Sequence, residues 1–217
     1  MIKVKASYFK AASVCMSTEE TRYYLNGVYI EPCAAGGVTL TATDGHRLVC
    51  IHDKDGTCDK PTIVGLPKGA LKVRNPEGDV TVGEDGLFRH GTFISLNTVI
   101  VDGTYPDYRH VVCLTEKSGL GHAAAPAIKG RYLADFARIA SILAEQPDDQ
   151  MAVRIITGPA ESEPALISFP SSAHAFGIIM PMRASPPPAK YQWFIAGPKK
   201  VKEAKKPEPK EEQQKAA

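Results

Sequence analysis

The sequence predicts an α+β protein built from one repeated layout: a strand, a short amphipathic helix, then several strands of alternating pattern, abbreviated βαβββ. Three observations predict it. The layout recurs three times at a spacing of about 50 to 65 residues, a repeat in pattern rather than in residue identity. Within each copy the apolar residues switch from helical spacing to alternation. Finally, 217 residues with 43% hydrophobic and 23% charged side chains suffice for a sizeable core, in one domain or two small ones.

In the first copy, Ile2 to Lys5 reads as a strand and Ser7 as a helix N-cap, with Phe9, Ala12 and Met16 on one face of a helix over Tyr8 to Met16. Strands follow at Tyr23 to Glu31, Val38 to Ala42 and Arg47 to His52. The second copy opens near Thr62 to Val64 and carries a brief helix at Lys68 to Val73, stopped by the turn signal Asn75-Pro76-Glu77-Gly78. It continues with strands at Val80 to Gly83, Leu87 to His90 and Phe93 to Val101. The third begins around Ala127, and Leu133, Phe136, Ala140 and Leu143 mark the clearest helix in the chain. Its strands run at Met151 to Ile156, Ala165 to Phe169 and Phe176 to Met180.

Beyond Arg183 the composition changes to Ala184-Ser185-Pro186-Pro187-Pro188, an aromatic patch Tyr191-Gln192-Trp193-Phe194-Ile195, and a Lys/Glu/Pro/Gln-rich end that reads as disordered. The patch fits either a last strand docked on the domain or a short peptide that binds a groove. From Lys199 onward the chain holds seven Lys and four Glu, so the remainder carries a net charge of −1 although the whole is +2. A folded part so close to neutral does not grip phosphates tightly; any contact with nucleic acid is loose or confined to one face.

Several function classes fall away. No apolar run reaches the roughly 18 to 20 residues that span a bilayer, and the opening MIKVKASYFK lacks a signal-peptide core, so the expectation is a cytoplasmic protein with no membrane partner. The five cysteines are scattered, without a CxxC pair or a histidine at metal-ligand spacing, and read as reduced thiols with no metal or cofactor. His46 beside Asp44 is a general base only in principle, because no nucleophile elbow, HExxH or P-loop accompanies it. The chain reads as a non-enzyme.

Four short segments carry a family resemblance. Thr21-Arg22-Tyr23-Tyr24-Leu25-Asn26-Gly27 precedes Thr41-Ala42-Thr43-Asp44-Gly45-His46-Arg47-Leu48, and Gly103-Thr104-Tyr105-Pro106-Asp107-Tyr108-Arg109 and Ile178-Ile179-Met180-Pro181-Met182-Arg183 follow in order. Together they resemble the β subunit of DNA polymerase III, the bacterial and phage-type DNA sliding clamp, in a shortened form. The resemblance covers roughly residues 1 to 183. The first three segments are similar to the family's middle domain and the last to the end of its final domain; the first domain and half of the third have no counterpart, and Ala184 stands where the family has a Leu.

The resemblance implies a DNA clamp fold, with sheets outside and helices lining a ring. It implies a complete domain over residues 1–112, a linker over 113–126, a single half-domain over 127–183 and a tail over 184–217. It further implies a hydrophobic cleft that accepts short linear motifs from a DNA polymerase and a clamp loader. Matched motif by motif, the cleft uses Arg22 and Leu25; Thr43, Gly45, His46, Arg47 and Leu48; Pro106 and Val111; and Ile178, Met180, Pro181, Met182 and Arg183. Apolar side chains would form its floor, methionines an adaptable wall, and Arg22, Arg47 and Arg183 a rim that holds carbonyls or acidic flanks. Asp44-Gly45 reads as a hairpin turn as well as part of the cleft. Facing double-stranded DNA would be Lys10, Lys68, Lys72, Arg131 and Arg138, a mildly basic face suited to sliding.

Family rings are similar to twelve half-domains, so three per chain implies a homotetramer, in which third halves pair across one two-fold axis and first halves across another. Gln192-Trp193-Phe194-Ile195 is an added candidate for occupying the cleft. The alternative from another class is a clamp-like adaptor or decoy that binds replisome peptides without encircling DNA.

Overall fold

A computed structural model describes residues 1–73, 75–112, 126–144, 152–158 and 160–183. Residues 1–183 form one compact unit; the aromatic patch at 191–195 and the tail lie outside the described residues. The first unit comprises β1 (Ile2–Lys5), α1 (Ala6–Ser13), β2 (Val28–Pro32), β3 (Val38–Thr43), β4 (Arg47–Asp53) and the short β5 (Thr57–Cys58). The second comprises β6 (Thr62–Val64), β7 (Asp79–Val82), β8 (Leu87–His90), β9 (Phe93–Thr98) and β10 (Ile100–Val101). The third comprises α2 (Gly130–Leu143), β11 (Arg154–Ile156), β12 (Ala165–Ser168) and β13 (Ala175–Ile179). Among the described residues, no helix is long and apolar enough to cross a membrane.

Sequence and structure part company locally. Helix α1 starts at Ala6 with Lys5 as its N-cap and no side-chain cap, so Ser7 sits inside the first turn. Residues Tyr23–Leu25 form a 3-10 turn rather than strand, closed by Leu25 N–H to the Arg22 carbonyl (2.9 Å) and Asn26 N–H to the Tyr23 carbonyl (2.9 Å). The expected helix at Lys68 to Val73 is only a turn over 68–71. Gly69 at φ +90 and Leu71 at φ +48 leave right-handed helical space, and six residues are too few to offset the cost of nucleating a helix.

Two sheets organise the molecule, in the orders β5-β1-β7-β8-β9 and β10-β6-β2-β3-β4-β13-β12-β11. The first two units exchange their leading strands. β1 joins the second unit's sheet beside β7 (Val4 opposite Val80), while β6 joins the first unit's sheet beside β2 (Tyr29 opposite Ile63). The two units are thereby interlocked through their leading strands. Phe9, Ala12, Phe88, Val80 and Leu40 meet in a shared core, and each large side chain fully buried there contributes about 1.5–3 kcal/mol.

Left alone, the third unit would expose an apolar helix face and a sheet edge; it docks on the first unit within the same chain. β13 pairs antiparallel with β4 from Arg47 opposite Ile179 to Ile51 opposite Ala175, and α2 packs beside α1. Phe136, Ile139 and Leu143 enter the same core as Phe9. Gly177 makes this close approach possible, since a Cβ there would lie 2.4 Å from Phe136 Cε1. Because β13 occupies β4, the first units have no free last strand with which to meet across a two-fold axis.

Candidate functional site

The cleft forms where the β4–β13 seam meets the turn between β3 and β4. Asp44 Oδ1 accepts the N–H groups of His46 (2.9 Å) and Arg47 (3.0 Å). The Thr43 hydroxyl accepts the Gly45 N–H (3.0 Å) and donates to the Arg47 carbonyl (2.7 Å). Gly45 sits at φ +88, and a Cβ on it would lie 2.5 Å from Arg22 Nη1. Glycine thus serves both the turn and the packing of Arg22, which is itself held by Glu19 through two 2.8 Å contacts. Across the seam Leu48 faces Ile178, and the Met180 N–H donates to the His46 carbonyl at 2.9 Å.

The opposite wall comes from residues 103–112, which cover the outer face of the eight-stranded sheet. Tyr105 stacks on Tyr29 with centroids 4.7 Å apart and planes 2° from parallel. The Tyr108 hydroxyl donates to Glu31 Oε1 (2.7 Å), and Arg109 Nη2 donates to the same oxygen (2.6 Å). Burial pushes the Tyr105 and Tyr108 phenols above their ordinary range. Beneath them Leu25, Leu48, Ile63 and Ile178 form a second apolar cluster.

The resulting cavity is about 300 Å³. It gathers Arg22, Leu25, Thr43, Gly45, His46, Arg47, Leu48, Pro106, Val111, Ile178 and Met180, all of them sequence-predicted. Pro181, Met182 and Arg183 do not line it; Met182 donates its N–H to the Ala127 carbonyl at 2.8 Å, which ties this segment to the start of the third unit. Tyr24, Asp107 and Tyr108 line the cavity and were missed, although all three lie inside the motifs that carry the resemblance.

Arg47 differs from the expected rim residue. It is 6% exposed, and its guanidinium pairs with Asp135 on α2, approaches Asp44 (3.3 Å), donates to the Val14 carbonyl (2.9 Å) and lies 4.8 Å over the Tyr132 ring. It ties the turn to both helices instead of reaching outward. The nearby Cys15 thiol is pushed up to about 12 by burial, which makes it an inert core group.

A second groove, about 720 Å³, adjoins the cleft and shares His46 and Arg47 with it. It is bordered by Lys72, Lys129, Arg131 and Arg138 together with Glu19, Asp44 and Asp135. Lys72, Arg131 and Arg138 are exposed as expected, and Lys129 was missed. Lys10 also borders the groove but is 8% exposed, and its ammonium donates to the carbonyls of Leu71 and Val73. It holds the shortened turn of the second unit and is not a free phosphate ligand. Lys68 is exposed but lies apart, beside β9. Among the described residues, no group of three or more His, Cys, Asp or Glu side chains is placed to hold a metal ion.

The family of the DNA polymerase III beta subunit, central domain, matches residues 3–107. The chain is 34% identical over 109 residues to the beta sliding clamp of Caulobacter vibrioides, covering 45% of this chain and 29% of that protein. To the beta sliding clamp of Escherichia coli K12 it is 32% identical over 111 residues, 48% of this chain and 30% of that protein. It therefore spans less than a third of the length of these curated relatives. Among solved structures, the Bartonella birtlesii DnaN sliding clamp superposes with a TM-score of 0.57 at 23% identity, covering 84% of this chain and 66% of that one. The Thermotoga maritima DNA polymerase III beta subunit gives 0.60 at 10% identity, covering 92% and 68%. These likenesses establish the clamp fold, and residues 3–107 are similar to the central domain of the DNA polymerase III beta subunit.

Proposed function

We propose that this chain is a sliding-clamp subunit, a replication processivity factor that encircles double-stranded DNA and tethers a DNA polymerase through the cleft without doing chemistry itself. The observation that carries this reading is the cleft, where Leu48, Ile178 and Met180 come together across the seam between two units. An apolar floor with a methionine wall suits a short extended peptide from a polymerase or a clamp loader. The reading places the protein in the cytoplasm.

The exposed Lys72, Lys129, Arg131 and Arg138 border a groove that also carries acidic groups. Mixed charge favours weak, phosphate-directed contact, which permits sliding; base-specific contact would arrest it. The third unit supports ring assembly. Its β11 is a sheet edge, whereas the corresponding strand of the first unit, β2, receives β6 from its neighbour. A second copy's third unit would complete the exchange reciprocally, and three units per chain then require four chains.

A fluorescein-tagged peptide with a QLxLF-like motif should bind with modest affinity in an anisotropy titration. Leu48→Ala and Met180→Ala together remove anchors worth about 1 to 3 kcal/mol each, so the titration should weaken by at least tenfold. Unchanged binding would show that the cleft is misassigned. On nicked circular DNA, loaded protein should be retained and then run off after linearisation, and direct binding should fade between about 50 and 200 mM salt. Peptide binding without topological retention would favour an adaptor that never encircles DNA.

A further inference from the structure

β9 is the outer strand of the five-stranded sheet. Its Ser95 is buried, and the hydroxyl accepts the Phe88 N–H at 2.8 Å and donates to the Asn97 carbonyl at 3.0 Å. Leu96, by contrast, is 95% exposed and Ile94 is 55% exposed. Sheet edges are usually blunted by Lys or Pro, and Phe93-Ile94-Ser95-Leu96-Asn97-Thr98 contains neither, nor any charge. A groove of about 630 Å³ runs along the strand between Leu66, Pro67, Phe93, Leu96 and Ile100, with Lys68 its one charged lining residue among those described.

The chain itself contains a worked joint of the kind this edge could make. The strands β2-β3-β4, β7-β8-β9 and β11-β12-β13 are the same three-stranded run in the three units, and β4 and β13 are the last strands of two of them. Those two pair antiparallel along five residues each. β9 holds the equivalent place in the second unit and, among the described residues, is paired on one side only.

We infer that β9 pairs antiparallel with β9 of a second copy across a two-fold axis, joining the two five-stranded sheets into one. Length favours this occupant over the other edges: β5 and β10 have two residues each and β11 three, against six in β9. Charge favours it as well, because a neutral edge meets a neutral edge and no like charges are brought opposite each other. The two-fold makes the contact self-complementary, with the exposed Ile94 and Leu96 of each copy buried against the other's groove. This joint rests on the ring reading above and names its second interface, at the second unit and not the first.

The test compares the wild-type full chain with Leu96→Glu and Leu96→Met by native mass spectrometry and light scattering at micromolar concentration, with the peptide titration run in parallel. The wild type should be a multiple of 23.4 kDa, Leu96→Glu should halve that mass, and Leu96→Met should keep it. A side chain so exposed contributes little to the core, so Leu96→Glu should bind the QLxLF-like peptide as the wild type does. A wild type already at 23.4 kDa, or a Leu96→Glu mass equal to the wild type's, overturns the β9 joint. Halved mass with no peptide binding by any of the three chains supports the joint while removing the cleft reading.

Discussion

Phe136→Asp is expected to unfold the third unit and abolish peptide binding. The Phe136 ring is fully buried, packs with its centroid 6.3 Å from that of Phe169, and rests on the flat patch that Gly177 leaves on β13. Truncating a buried Phe costs about 3–5 kcal/mol, and a carboxylate in the same place adds the cost of burying an unpaired polar group. The sum is a large share of the roughly 5–15 kcal/mol by which a domain is stable. β13 loses its support from α2, and with it go Ile178 and Met180 of the cleft. Ala137→Asp, one residue along on the exposed face of α2, should change stability by no more than about 0.5 kcal/mol. Urea denaturation followed by circular dichroism checks both. An unchanged midpoint for Phe136→Asp would contradict the docking of the third unit on the first.

The second large effect lies at Arg47. Its side chain is 5% exposed and that of its partner Asp135 22%, so Asp135→Ala leaves a nearly buried cation with Asp44 as its remaining carboxylate. Removing one member of a buried pair costs about 3–5 kcal/mol; the partial exposure of Asp135 places this substitution nearer about 2–4 kcal/mol. Arg47→Met combined with Asp135→Leu should recover most of the loss, because an apolar pair of similar volume carries no desolvation cost. A double-mutant cycle in urea measures the coupling. Additive single effects would mean that the pair does not hold α2 against the turn.

The elements that depend on local spacing were legible in the sequence. The alternation at Val38 to Ala42, Arg47 to His52 and Ala165 to Phe169 predicts strands found within two residues of those bounds. The 3.6-residue stripe through Phe136, Ala140 and Leu143 predicts α2. The turn chemistry of Thr43, Asp44 and Gly45 is equally local, which explains why that side of the cleft could be read from its motif. Tyr24, Asp107 and Tyr108 were available in the same way and were passed over.

By itself the sequence determined the strand periods, the helix α2, the turn at Gly45 and the motifs that carry the family resemblance, since each arises between residues close along the chain. Tertiary structure alone decided the exchange of β1 and β6, the β4–β13 seam, the burial of Lys10 and Arg47, and the reduction of the second helix to a turn. These outcomes turn on partners 33 to 88 residues away for Arg47 and 61 to 63 for Lys10. Charge type and local period are the same whether a Lys faces solvent or a carbonyl across the core. The choice is made by which backbone groups the fold leaves unpaired beside it.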